Sequence, residues 1–220
     1  MIKMQNGNEA FYRVVPAKVR ENVDQYLKIE IGDARKQPVS DETVDLVITS
    51  SPYVTSYEYA DLHQLSTIWL DLADDLKEYK NGFIGTSYKK YENKRLKGSI
   101  AADIVDKMSK KSRKTAEEIK AFFSDMEEVF DESFRILKHG GRCCYVIGDT
   151  KLEGINVLNA EAFAESLQYS GFKFDRLIKR EIPSKILPQK RDEKTGRFAN
   201  SLEANYEAYS IEYVIIGLKE

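Results

Sequence analysis

Residues 44–53 read VDLVITSSPY. Val44, Leu46, Val47 and Ile48 make a short apolar run rich in β-branched side chains, interrupted only by Asp45. Such a run reads as a buried strand. It stops at Thr49-Ser50-Ser51-Pro52-Tyr53, where Pro52 has no N–H to donate and cannot continue a central strand. Two hydroxyls, a proline and an aromatic ring are thereby placed at a strand's carboxyl end. In open α/β sheets that is where ligands bind. The plain alternative is a strand followed by an ordinary Ser/Pro turn.

Further stretches bear on the choice. TSSPY (49–53) resembles the TSPPY signature of S-adenosylmethionine-dependent amino-methyltransferases that act on DNA bases. SPYVTSYEYADLHQLSTIWLDL (51–72) is similar to the segment that follows the signature in the cytosine-N4 type. IEIGDAR (29–35), FRILKHGGRCCYVIGD (134–149), ILPQKRDEKTGRF (186–198) and IEYVIIGL (211–218) fit the same family in the same order. The resemblance spans about residues 25–218, and the ordered set is far more specific than the signature alone.

The resemblance implies an α/β fold: an incomplete Rossmann-like methyltransferase sheet, with the equivalents of strands three to seven and helices on both faces. It implies S-adenosylmethionine as cofactor and the exocyclic amine of a flipped cytosine in DNA as acceptor. Adenine-N6 methylation and a non-catalytic DNA-binding or scaffolding relative are the alternatives. It assigns catalysis to Ser50, Ser51, Pro52 and Tyr53, and cofactor contact to Asp33 and Ala34 together with Ser50 and Pro52. Tyr53, Lys185, Lys190, Arg191, Lys194 and Arg197 are the expected nucleic-acid contacts. An exocyclic amine is a poor nucleophile because its lone pair is shared with the ring. Acceptors for its two hydrogens, here the Ser50 hydroxyl and the carbonyl of residue 51, favour a pyramidal nitrogen. Tyr53 stacks on the base once it leaves the helix.

The chain departs from the family at two places. Ser51 stands where the signature has proline, and the family's use of proline implies that Ser51→Pro is tolerated. The glycine-rich turn that holds the methionine end of the cofactor, usually like DPFxGSGT, is absent. A second methyltransferase subunit carrying that turn is therefore the expected partner, in a heterodimer. It would also cover an apolar strand edge beside residues 44–48, which natural proteins seldom leave open.

Outward from this centre, 220 residues suit one domain with a sizeable core, here with an N-terminal arm and helix at 1–25 and a basic insertion at 73–114. The net charge of −2 argues neither for nor against nucleic acid. No run is apolar enough to span a membrane and no signal pattern opens the chain, so a cytoplasmic protein is expected. Residues 16–27 suit a short helix, and residues 27–31 alternate as a strand does. Asp33 also suits a plain turn after Gly32. Residues 57–72 carry apolar side chains at helical spacing and predict a helix packed on the sheet. Between Tyr88 and Lys114 stand ten Lys or Arg against three acids, which reads equally as a solvated insertion or as a phosphate-contacting arm. Residues 115–137 predict a helix capped by Thr115 with Glu118 and ended at Gly140-Gly141. Strands are expected at 142–147, 174–182 and within 206–218, with a helix at 160–169. Cys143 and Cys144 are adjacent on a strand, so they face opposite ways and neither pair nor share a metal; neither is a nucleophile here. His63 and His139 have no metal-spaced companion.

Overall fold

The structure, a computed structural model, describes residues 7, 9–10, 12–54, 59–86, 95–182, 190–191, 206–207 and 211–220. The chain divides into two units, Met1–Gly32 and Asp33–Glu220. In the first, the expected helix is two short ones, α1 (Ala17–Glu21) and α2 (Val23–Tyr26), broken at Asn22 (φ −132°), and neither buries a residue. The strand expected at residues 27–31 is not formed. Leu27 is extended, yet Ile29 and Ile31 are 84% and 95% exposed. Alternation alone does not make a strand; a ladder partner does, and none is present among the described residues.

The second unit holds β1 (Val44–Ser50), α3 (Tyr59–Trp69), α4 (Leu76–Asn81), α5 (Ser99–Ser109) and α6 (Arg113–Ile136). These are followed by β2 (Leu137–Ile147), β3 (Thr150–Leu152), β4 (Ile155–Val157), α7 (Asn159–Tyr169) and β5 (Lys173–Glu181). Then come β6 (Lys190–Arg191), β7 (Tyr206–Glu207) and β8 (Ile211–Leu218). The main sheet runs β1-β2-β8-β5. β1 is parallel to β2, and β8 lies antiparallel between β2 and β5. This is the expected open α/β sheet, with four strands rather than five among the described residues.

The register sorts the strands into two faces. Thr49, Tyr145, Ile215 and Leu177 form one cross-strand row; Ile48, Cys144, Ile216 and Arg176 form the next, on the opposite face. The first face is packed. Phe130 meets Tyr145 edge-on at 4.9 Å between ring centroids and Phe163 at 5.0 Å. The Tyr145 hydroxyl and Ser133 Oγ are 2.6 Å apart. Among the described residues helices cover this face only, not both: on the other, Leu46, Ile48 and Ile178 are 49%, 67% and 48% exposed.

α6 begins at Ser112, whose Oγ accepts from the Thr115 N–H. The cap is thus one turn earlier than the Thr115/Glu118 pattern suggested. The helix runs straight into β2. The Gly140-Gly141 pair is not a helix stop but part of the strand: Gly140 has φ +81° and donates to the Lys219 carbonyl at 2.7 Å. The end of the basic insertion is core structure, because α5 buries Ala101, Ile104 and Met108. Its cations are answered locally, Lys107 by Asp103, Lys110 by Asp106, Arg113 by Glu117 and Lys114 by Glu118. The centre of the tyrosine-rich stretch, residues 87–94, lies outside the described residues. α3 is not packed as its periodicity implied: Leu65 and Trp69 are 78% and 88% exposed. No helix among the described residues is long and apolar enough to cross a membrane.

Candidate active site

β1 carries its ladder one residue past Ser50, since the Ser51 N–H donates to the Val146 carbonyl at 3.0 Å. The pairing ends at Pro52, as the missing N–H requires. Ser50 is exposed at the sheet's end. Ser51 is buried, and its Oγ has no hydrogen-bond partner among the described residues. The Ser51 N–H bond also bears on one expectation: proline at 51 removes a donor that the sheet uses. Tyr53 is half-buried against the core, and its hydroxyl donates to Glu212 Oε1 at 2.9 Å. Glu212 in turn accepts from Arg180 across the β5–β8 pair. The ring is therefore braced from the far side of the sheet.

The end of β2 lies beside the end of β1 and supplies groups that the sequence did not single out. Asp149 Oδ1 accepts from the Ala160 N–H at the start of α7, at 3.0 Å. Burial raises this carboxyl above its ordinary value, and a bond with the Tyr213 hydroxyl works against the rise. Asn159 Nδ2 donates to the Gly148 carbonyl at 2.9 Å. Asn159 Oδ1 and Thr150 Oγ1 are both buried without a partner among the described residues. Buried polar oxygens are normally satisfied, so Ser51, Thr150 and Asn159 give the carboxyl ends of β1 and β2 an unusual store of unused acceptors. The one local signal was Gly148-Asp149 closing a strand. Asn159 lies eleven residues beyond Gly148, and only the return of α7 brings it back.

Asp33 and Ala34 belong to a different anchorage. Both Asp33 oxygens accept from the Arg35 guanidinium, at 2.8–3.2 Å. Arg35 also donates to the Gly82 carbonyl at 2.8 Å and pairs with buried Asp125 at 3.2 Å. The Asp33 bond, ahead of the Asp125 charge, raises the Arg35 pKa despite burial. Asp125 further accepts from the Gly85 N–H. Asp33 is thus fixed to α6 and to the turn after α4. Its side chain stays 46% exposed, but its two oxygens are engaged. Ala34 packs against the core. Ser50, Ser51, Pro52 and Tyr53 are brought together; Asp33 and Ala34 are held by other elements.

Of the expected nucleic-acid residues, Lys190 and Arg191 form β6, paired with Glu207 and Tyr206 of β7. Lys185, Lys194 and Arg197 lie outside the described residues. Cys143 is buried and its thiol is pushed up to about 12 by burial. Its half-buried neighbour Cys144 faces the other way. A thiol so disfavoured as thiolate is a poor nucleophile. No His/Cys/Asp/Glu group able to hold a metal occurs among the described residues.

No family model matches the chain. It is 25% identical over 211 residues to the type II methyltransferase M.MvaI of Kocuria varians, across 88% of this chain and 45% of that protein. It is 28% identical over 200 residues to the type II methyltransferase M.MjaI of Methanocaldococcus jannaschii, across 87% of this chain and 55% of that protein. A protein of Thermus thermophilus assigned as a DNA modification methylase, solved in complex with S-adenosyl-L-methionine, is 19% identical with a TM-score of 0.44, over 86% of this chain and 54% of its own. The chain is therefore similar to type II methyltransferases over nearly all of its own sequence, while spanning about half the length of these curated relatives.

Proposed function

We propose that this chain is the base-binding, catalytic part of an S-adenosylmethionine-dependent DNA methyltransferase that modifies the N4 amine of cytosine. The observation that carries the reading is TSSPY leaving the sheet at the carboxyl end of β1, with Ser50 exposed and Tyr53 braced by Glu212. Similarity to two type II methyltransferases supports it.

The chain's own atoms perform a definite task in this scheme. The Ser50 hydroxyl and the carbonyl of Ser51 accept the two hydrogens of the amine and aim its lone pair. Tyr53 presents a ring whose position does not depend on the base, because its hydroxyl is already held. Such pre-positioning lowers the barrier to an in-line transfer. Lys190 and Arg191 contribute positive charge toward phosphates.

The residues present do not make a complete cofactor site. Both Asp33 oxygens are engaged by Arg35, and no strand, glycine-rich turn and helix occur in succession among the described residues. A second subunit supplying that turn belongs to the proposal. The same shortfall, with Ser51 in place of proline, favours a second reading, a non-catalytic DNA-binding relative.

Mass spectrometry of DNA from cells carrying the complete locus tests the proposal. N4-methylcytosine is expected; N6-methyladenine would move the substrate, and unmodified DNA would leave the non-catalytic reading. In the active enzyme Ser50→Ala is expected to lower turnover about 10- to 100-fold with little change in DNA affinity. Unchanged turnover would remove Ser50 from the mechanism. Neutralising Lys190 and Arg191 together is expected to reduce the salt slope of DNA binding by about two.

A further inference from the structure

α3 is built inside out. Its inward side chains are polar: Thr67 is buried, with its hydroxyl donating to the His63 carbonyl at 2.9 Å, and Gln64 is half-buried. Leu62, Leu65, Ile68, Trp69, Leu70 and Leu72, within or just beyond the helix, are each more than half exposed. A surface helix ordinarily turns its apolar stripe to the core. Leu62, Leu65 and Trp69 follow one another at intervals of three and four, the spacing of a seam along which two helices pair. Leu65, Ser66, Trp69 and Leu70 line a shallow hollow of about 380 Å³ beside that seam. The only carboxylate of α3, Asp61, is held by Lys80 at 2.8 Å. The six apolar residues expose roughly 800 Å² together, about one partner's share of a standard interface. A contiguous apolar patch of this size marks a docking surface.

We infer that α3 is the interface of a homodimer, in which the α3 helices of two copies pack antiparallel about Ser66. Three features select a second copy as the occupant. The seam is self-complementary: turned end for end about Ser66, it sets Leu62 of one copy beside Trp69 of the other, and Leu65 against the hollow at Ser66. This is the isologous contact of a two-fold dimer. The exposed area matches what each copy must contribute. The charges fix the direction. Exposed Asp71 and Asp74 stand just past the carboxyl end of α3. Antiparallel packing carries them to the amino end of the other copy's α3, where the helix dipole is positive. Parallel packing would set the acids of both copies side by side. The same acids repel phosphates, so nucleic acid is disfavoured on this surface. The inference uses neither the methyltransferase reading nor the edge of β1, and stands apart from both.

Trp69 is the chain's single tryptophan, so its emission reports this surface alone. The full chain is followed by sedimentation equilibrium and tryptophan fluorescence over a concentration series. A monomer–dimer equilibrium is expected with a Kd of about micromolar or tighter, and Trp69 emission should move to the blue as the dimer forms. Leu65→Glu keeps the tryptophan and is expected to weaken association about a hundredfold or more, with red emission throughout the series. Trp69→Glu is expected to weaken association likewise. Both side chains are exposed, so circular dichroism should show both variants folded. Ser66→Cys tests the packing: mild oxidation is expected to link the two copies at position 66 and to leave the unsubstituted chain unlinked. A chain that stays monomeric, a dimer that survives both glutamates, or a monomer whose emission is already blue would overturn the inference. So would emission that moves only when duplex DNA is added. A dimer that dissociates in both variants yet stays unlinked at position 66 would overturn the antiparallel arrangement.

Discussion

Ile215 and Ile216 are adjacent in β8, and their surroundings are opposite. Ile215 is fully buried under α6 and α7, in the row of Tyr145; Ile216 lies in the row of Ile48, which is two-thirds exposed. The same division separates Cys143 from Cys144. One face of this sheet is packed across β2 and β8 with edge-on aromatic contacts, while Leu177 of β5 in the same row stays 38% exposed. The other has apolar side chains and no cover among the described residues. The open face sets Arg142, Arg176, Arg180 and Glu212 among its apolar side chains. Closure of the first face comes from a helix of 24 residues that runs directly into β2. No helix of the described residues performs that service for the second.

Phe163→Ala would break the closed side most severely. Its ring packs against Phe122, Phe130 and Tyr145, so a loss of about 3–5 kcal/mol is expected in chemical denaturation. A loss comparable to that of a surface substitution would mean that the face is not tightly packed. Arg35→Met comes next, because it strands buried Asp125 without its cation; about 3 kcal/mol is expected by the same measurement. Ser51→Pro deletes the N–H bonded to Val146 and should cost about 1 kcal/mol. Full tolerance would show that the ladder ends one residue earlier.

The Asp149 carboxyl sharpens the comparison through pH. Burial raises its folded-state pKa, so between the ordinary and the raised value the folded chain keeps a proton that the unfolded chain has released. Its contribution to stability is therefore greatest below the ordinary carboxylate range and falls as pH rises through the raised value. Buried Glu127, raised by the same cause, adds a slope of the same sign. Asp149→Asn should flatten part of that slope in denaturation midpoints taken across acidic pH. The smallest effect belongs to the open face: Ile48→Glu should change the stability of the isolated chain by no more than about 0.5 kcal/mol. A large loss would reveal that this face is already covered.

Short-range chemistry was legible in the sequence. The run at 44–48 is a strand because β-branched side chains suit a pleated surface, although none of its residues is buried as the apolar run implied, and Pro52 ends it because it lacks an N–H. The stripe Ile119, Phe122, Phe123, Met126, Val129 and Phe130 makes α6 because one apolar face recurs at helical spacing, and all six are buried. TSSPY at a strand's carboxyl end was readable for the same reason. What depended on distant partners was not. The alternation at residues 27–31 found no ladder, and the stripe of α3 found no core. The lysines of α5 and α6 met acids one helical turn away. Asp149, Asn159, Glu212 and Asp125 acquired their places only when α7, β8 and α6 returned to the sheet. A local pattern determines what an element is able to bury or bond; the tertiary structure alone decides which neighbour it meets, and at β1 that neighbour is not among the described residues of this chain.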